Sequence, residues 1–270
     1  MKLVESILTK NPCYTAGRKI TVKGLMLHSV GCPQPKASVF INSWNSPSYD
    51  NACVHGFIDG NDGTVYQTLP WNHRGWHCGS GSKGSGNNTH IGVEMCEPAC
   101  IKYTSGANFT CSDTATAKAV AKRTYEAAVE LFAMLCRQYN LNPTADGVII
   151  SHREGHSRGI ASNHGDPEHL WTQLGMGYTM DTFRQAVKAA MDGGSSAETS
   201  GYTKIMGTAV ATAEQMETYI QGKNPQVPQS VLDMIPLYLS EGQAEGVRGD
   251  IAFAQSCLET GNFTFSGSAV

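Results

Sequence analysis

No run in this 270-residue chain reaches the ~18 consecutive apolar residues that a membrane-crossing helix needs. Charge is scarce too. Asp, Glu, Lys and Arg make up 16% of the residues and nearly cancel, leaving a net charge of −3. A strongly basic face is thereby excluded, and nucleic acid is not an expected partner. The opening residues, MKLVESILTKNPC, have no apolar stretch followed by a small-residue cleavage site, so no secretory signal is read. The chain is then expected to be made in the cytoplasm and to work there or leave by another route, such as lysis or a holin-type pore. None of the nine cysteines forms a CxxC pair. The nearest two, Cys96 and Cys100, have no partner pair of like spacing, which argues against a zinc ribbon. Reduced and mostly buried thiols are the expectation. No internal repeat is evident, which removes solenoids.

Glycine, by contrast, is frequent, at 29 residues. Low charge with many Gly, Ser, Thr and Asn points to a loop-rich enzyme more than to a coiled coil or a disordered tail. Residues 20–31 read as a strand ended by Gly. Residues 54–69 read as two strands around an Asn-Asp-Gly turn, a hairpin signal. The Gly, Ser and Asn of 72–88 read as a long functional or mobile loop. HIGVEM at 90–95 reads as a short strand with a Glu near its end. The period changes at 112–139, where apolar residues recur at helical spacing behind a Ser-Asp cap. GVIIS at 147–151 reads as a further buried strand, and 180–191 as a second long helix. Gly and Ser then dominate 193–203, a linker. Beyond it, 212–222, 228–238 and 248–259 read as helices. The expected architecture is mixed α/β over 1–192, with a central mixed β-sheet flanked by helices, followed by a short all-helical segment over 204–270.

The stretch IASNHGDPEHLW at 160–171 puts His164 two residues before Asp166 in a Gly- and Pro-bearing loop. Alone, it reads as a solvated turn. Other polar residues stand at strand ends: His28 closes the first strand, Glu94 lies in the 90–95 strand, and His152 follows GVIIS. Polar groups at the ends of apolar strands converge on one rim of a sheet. Two His and a carboxylate are a recurring catalytic zinc set that leaves one position for water. Glu94 would then be the proton carrier and His164 a donor to the developing oxyanion. Taken singly, each His is as readily a hydrogen-bonded core residue.

Taken together, these residues resemble the zinc-dependent N-acetylmuramoyl-L-alanine amidases related to peptidoglycan-recognition proteins. The likeness is carried by GLMLHS at 24–29, HGFIDGNDGTVYQTLPWNHRGWHCG at 55–79, NTHIGVEM at 88–95, SHREGH at 151–156 and HGDP at 164–167. It implies Zn2+ held at one sheet rim by His28, His152 and Asp166, with Glu94 as the proton shuttle. His164 stands where many relatives have a Lys, a departure from the pattern, since a neutral His lacks that full charge. His55 stands where relatives often have a Tyr near the zinc, and the resemblance gives it the place of an auxiliary, substrate-binding donor or of a packing residue. Trp71, Trp76, His77 and the 78–88 loop are expected to line the glycopeptide groove, or, for the two Trp, simply to pack. The implied partner is bacterial peptidoglycan and the implied reaction is cleavage of the amide between N-acetylmuramic acid and L-alanine, in an endolysin or autolysin that acts at the cell wall. The other reading is a non-catalytic module that binds peptidoglycan; such relatives lose a metal ligand, and here all three are present.

The tail from residue 209 resembles the opening of a bacterial cell-wall β-N-acetylglucosaminidase domain. GDIAFAQSCLETGNF at 249–263 carries that likeness, with Glu259 at the place of the general acid, and Cys257 and Asn262 depart from the commoner Ala and Trp. The rest of such a domain is missing from the chain, so this segment is expected to be incomplete.

Overall fold

A computed structural model describes residues 1–192 and 205–265, and the linker expected at 193–203 lies outside the described residues. The chain divides into two compact units, Met1–Ser196 and Ala197–Val270. In chain order the first unit contains β1 (Leu3–Glu5), α1 (Pro12–Thr15), β2 (Gly24–Ser29), α2 (Ala37–Trp44), β3 (Gly56–Ile58), β4 (Val65–Gln67), β5 (His90–Met95), β6 (Ile101–Ser105), β7 (Asn108–Cys111), α3 (Thr114–Tyr139), β8 (Ile149–Ser151), α4 (His152–Ser157), α5 (Glu168–Gln173) and α6 (Met180–Met191). The second contains α7 (Ala213–Lys223), α8 (Gln229–Glu245) and α9 (Gly249–Glu259).

Six strands form one sheet in the order β1-β4-β3-β5-β2-β8. Only the β3–β4 hairpin is antiparallel; the other neighbours run parallel. The architecture is therefore mixed α/β with a mostly parallel sheet. Alternation along the central strands decides what each face carries. Leu25 and Leu27 of β2 and Ile91, Val93 and Met95 of β5 join Phe132, Leu131 and Leu135 of α3 and Phe183 of α6 in the main core. The intervening residues, Met26 and His28 on β2 and Gly92 and Glu94 on β5, face the other way. There α2 lays Phe40 and Trp44 on Phe57, at ring-centroid distances of 5.1 and 5.0 Å. Ile160, Ala161 and Cys78 pack on Met26 and Ile150.

The long helix forms where the apolar period predicts it. Asp113 caps α3 by accepting from the Thr116 N–H at 3.0 Å, and Asn140 ends it in the left-handed region at φ 52°. Strand β5 and helix α6 also lie where the sequence places them. The hairpin β6–β7 and the short helices α1, α2, α4 and α5 lie where no pattern predicts them. In β6, Ile101 and Tyr103 turn inward while Lys102 and Thr104 turn out, a period-two signal diluted by its Ser and Thr.

In the second unit, Met216, Ile220, Val231, Ile235, Phe253, Cys257 and Phe263 form a small core of their own. Helix α8 runs on past the expected end at 238 to Glu245, with Pro236 inside it. Among the described residues no helix is long and apolar enough to cross a membrane.

Phe132 is fully buried and meets Phe183 edge to face at 5.3 Å. Phe132→Ala is expected to cost about 3–5 kcal/mol, read as a lower denaturant midpoint at unchanged slope. A loss under about 1 kcal/mol would show that α3 and α6 do not depend on this packing.

Candidate functional site

Register brings the site together. Phe57 pairs with Glu94 and Glu94 with His28 across β3, β5 and β2, and Leu27 pairs with Ser151 on β8. One step beyond that last pair stands His152. Glu94, His28 and His152 thus form a row at the C-terminal ends of parallel strands, where ligands of open α/β sheets bind. Ser151 caps α4 in a capping box with Glu154, which fixes His152 as the first helical residue. Asp166 enters from the loop before α5, and its Oδ2 accepts from the Ser29 N–H at 3.4 Å.

The ligand atoms of His28, His152 and Asp166 all lie within 4.8 Å of one another, and all three residues are buried. His28 Nδ1 is 3.1 Å from His152 Nδ1 and 3.3 Å from Asp166 Oδ2. The outer hydrogen bonds settle which nitrogens bear protons. The His90 carbonyl only accepts, so His77 Nε2, 3.1 Å away, carries a hydrogen. With one proton on the ring, His77 Nδ1 then accepts from His28 Nε2 at 3.0 Å. That leaves a bare lone pair at His28 Nδ1. Likewise, the Ser162 hydroxyl donates to the Cys78 carbonyl at 3.3 Å, and its oxygen sits 3.1 Å from His152 Nε2. With the His152 proton on Nε2, shared with Ser162 Oγ and His164 Nδ1, its Nδ1 is bare. Two lone pairs and a carboxylate converge with no hydrogen among them. Such a set repels itself unless a cation sits between its members. Ring nitrogens oriented by outer hydrogen bonds are the usual dress of metal-ligating histidines. The residues present fit a zinc ion.

Electrostatics agree. Burial, with His28 beside it, pulls His152 down to about 3, keeping its ring neutral. Glu94 is raised well above the carboxylate range by burial first and by Asp166 and Glu97 second. Its Oε2 is buried with no hydrogen-bond partner among the described residues. An orphaned carboxylate oxygen beside a converging ligand set is a group waiting for a reactant.

The remaining candidate residues divide between core and surface. His55 is fully buried, accepting from the Gly92 N–H at 3.0 Å and donating to the His73 carbonyl at 2.8 Å. Both ring nitrogens are taken, so His55 packs and braces β5, the second of its two expected roles; burial lowers it to about 4. Trp71 is core, 8% exposed. His77 is buried and holds His28, as described, instead of lining a groove. Trp76 is 48% exposed and lines a cleft with Pro12, Cys13, Ala16, Arg18 and Arg74. His164 is exposed, and its Nδ1 lies 3.1 Å from His152 Nε2. It meets that ring from behind, away from the ligand set, which is not the place of an oxyanion donor. Glu259 ends α9 in the second unit and is exposed.

Sequence reasoning passes over Ser162, Asn87 and Gly92. Asn87 is buried, and its Oδ1 accepts from the backbone of His77 and Cys78 at 2.8 and 3.2 Å, anchoring the loop that carries His77. The alternation His90-x-Gly92-x-Glu94 is the one available signal: it puts a small residue where the His77 ring must pass.

A Cβ on Gly92 would stand 2.2 Å from His77 Cγ, close to the ring's own stem. Gly92→Ala is therefore expected to displace His77, free His28 Nε2 and weaken zinc binding by about 10- to 100-fold, the usual effect of losing an outer-sphere partner. Metal titration of the folded variant checks this; wild-type affinity would show that His77 does not orient His28.

Known proteins share parts of this chain. A 38-residue segment is 50% identical to the N-acetylmuramoyl-L-alanine amidase CwlH of Bacillus subtilis, covering 14% of this chain and 15% of that protein. The amidase XlyA of the same organism is 55% identical over 38 residues, 14% of this chain and 12% of its own length. The matches thus span about an eighth of these relatives. Among solved structures, the Staphylococcus aureus hydrolase AmiA, in complex with its ligand, superposes with a TM-score of 0.52 at 20% identity, covering 73% of this chain and 87% of the other. That likeness is one of fold. The sequence profile of N-acetylmuramoyl-L-alanine amidases matches residues 17–169, more than half of the chain and all of the ligand set. The chain belongs to the N-acetylmuramoyl-L-alanine amidase family.

Proposed function

We propose that the first unit is a zinc-dependent amidase that hydrolyses the bond between N-acetylmuramic acid and L-alanine in bacterial peptidoglycan. The observation that carries the reading is the hydrogen-free convergence of His28 Nδ1, His152 Nδ1 and the Asp166 carboxylate beside the unpartnered Oε2 of Glu94. His28, His152 and Asp166 would hold the ion. When bound, zinc supplies a Lewis acid that polarises a carbonyl oxygen and acidifies a water.

The remaining work falls to the chain. Glu94, ionised once a cation held by the three ligands offsets the charge of Asp166, takes a proton from the attacking water and delivers it to the leaving amine of alanine, a general base turned general acid. Its place one strand from His28 keeps it beside the ligand set. The main-chain register holds that spacing, so little reorganisation is needed during reaction. His77 and Ser162 keep the two imidazoles in the tautomer that faces inward. His164 steadies His152 from outside. Action at the cell wall after release from the cytoplasm, as in an endolysin or autolysin, is the setting this substrate implies.

Within the second unit, the glucosaminidase reading rests on the run at 249–263 alone, with Glu259 as its acid. A glycosidase acid works from a desolvated site facing a second carboxylate or an activated water. Glu259 is exposed among the described residues, so amide cleavage is the activity assigned to this chain.

Glu94→Gln removes the carboxylate without touching the ligand set. It is expected to keep stoichiometric zinc and to lose about 10²–10⁴-fold in the rate at which new alanine amines appear in digested peptidoglycan. Full activity in this variant would remove Glu94 from the mechanism. Asp166→Ala is expected to lower bound zinc, measured by atomic absorption on the dialysed protein; unchanged stoichiometry would mean that the third ligand lies elsewhere. A protein that retains peptidoglycan but releases neither alanine amines nor reducing sugar ends would be a binding module.

A further inference from the structure

In the cleft beside α1 we propose a binding site for the peptide-free glycan that the amidase reaction leaves behind, held by the free carboxylate of its muramic acid. The site rests on the amidase reading of the first unit for its ligand, and it shares no residue with the metal-ligand set. Backbone pairing builds it. The Ile20 N–H donates to the Asn72 carbonyl at 2.9 Å and the Arg74 N–H to the Arg18 carbonyl at 2.8 Å, around the antiparallel bridge of Lys19 and His73. Arg18 and Arg74 therefore stand directly opposite each other on one face. Trp76, two residues on, is held by exchanging backbone hydrogen bonds with Cys53 at 3.0 and 2.8 Å. Consecutive side chains of an extended segment point opposite ways. So His77 turns in to His28 while Trp76 turns out to the cleft.

Like charges directly opposite on paired strands repel, and among the described residues no carboxylate offsets this pair. The arginine ion pairs found there belong to Arg158, Arg184 and Arg248. Arg74 is fixed without being neutralised. Its Nε donates to Asn88 Oδ1 at 2.8 Å and its Nη1 to the Gly75 carbonyl at 3.5 Å, which leaves Nη2 for a ligand. Arg18 is exposed. Two guanidinium forks side by side match a planar carboxylate. The rest of the cleft is largely apolar, with Pro12, Ala16 and the half-exposed indole of Trp76.

An electron-rich indole face packs against the C–H groups of a sugar ring, and two cations beside it select a ring that carries an anion. The cleft measures about 200 Å³, less than the ~300–1,000 Å³ that encloses a whole small molecule. It fits one unit of a polymer whose neighbours lie outside. Amide hydrolysis makes the anion this site needs. Before cleavage the lactyl group of muramic acid ends in a neutral amide. Water adds its oxygen to the carbonyl carbon, the C–N bond breaks, the amine leaves with the peptide, and a carboxylate stays on the sugar. Cut glycan thus differs from uncut glycan by one charge, and holding it keeps the chain on a strand whose next peptide is still attached.

The test is calorimetric titration of the full, zinc-loaded chain with a short peptide-free glycan of alternating N-acetylglucosamine and N-acetylmuramic acid, with its methyl ester, and with a neutral chitin oligomer of the same length. None of these carries the scissile amide, so binding is read without turnover. The acid is expected to bind, and the ester and the chitin oligomer to bind about 10- to 100-fold more weakly, the usual worth of a hydrogen bond to a charged group. Arg18→Gln is expected to bring the acid down to the ester, and Trp76→Ala to weaken both. Full zinc content in the two variants shows that they fold. Equal affinity for acid and ester, or no binding of the acid by a chain that still releases alanine amines, would overturn this site and leave the amidase reading standing. Unchanged affinity in both variants would place the sugar elsewhere. Competition by inorganic phosphate or by the released peptide as strong as by the glycan itself would overturn the choice of the glycan as ligand.

Discussion

The carbonyl of His90 can only accept a hydrogen bond, and the rest of the site follows from that. It fixes the proton of His77 on Nε2, which makes His77 Nδ1 an acceptor, which puts the proton of His28 on Nε2 and bares its Nδ1. Ser162 does the same for His152 by donating to Cys78. Left as they are, three buried acceptors this close would destabilise the fold, because an unpaired buried acceptor costs roughly 1–3 kcal/mol and a carboxylate more. A bound dication would turn that repulsion into attraction and so couple metal binding to local stability at this rim.

Sheet architecture makes the arrangement possible. Parallel strands β2, β5 and β8 bring their C-terminal ends to one edge. Strict alternation then separates duties, with Leu and Val toward α3 and α6, and His28, Gly92 and Glu94 toward the site. The hydrophobic core and the chemistry share the same strands without competing for positions. Gly92 joins the two, since only a missing side chain lets the His77 ring lie against β5.

Much of this arrangement is legible in the sequence itself. Strand β5, helix α3 and helix α6 follow from periodicity. The ligand set is marked by polar residues at strand ends and sharpened by family resemblance. What stays hidden depends on contacts that no local pattern records. Ser162 reaches the Cys78 carbonyl across 84 positions, and His55 reaches Gly92 across 37. An aromatic residue in a Gly-rich loop reads as a groove wall, yet Trp71 packs inward while Trp76, five residues on, faces out. His164 reads from the sequence as a donor to the reacting group, but its ring rests against His152. Only the folded chain shows which nitrogen of each His is free.

The tautomers of the two histidines are also the most direct test. Long-range proton–nitrogen correlation spectra of the zinc-loaded protein, with His28 and His152 assigned, report which ring nitrogen carries the proton. The predicted result is a protonated Nε2 on both rings and a metal-shifted, unprotonated Nδ1. Protonated Nδ1 on either residue, with Nε2 turned to the metal, would contradict it.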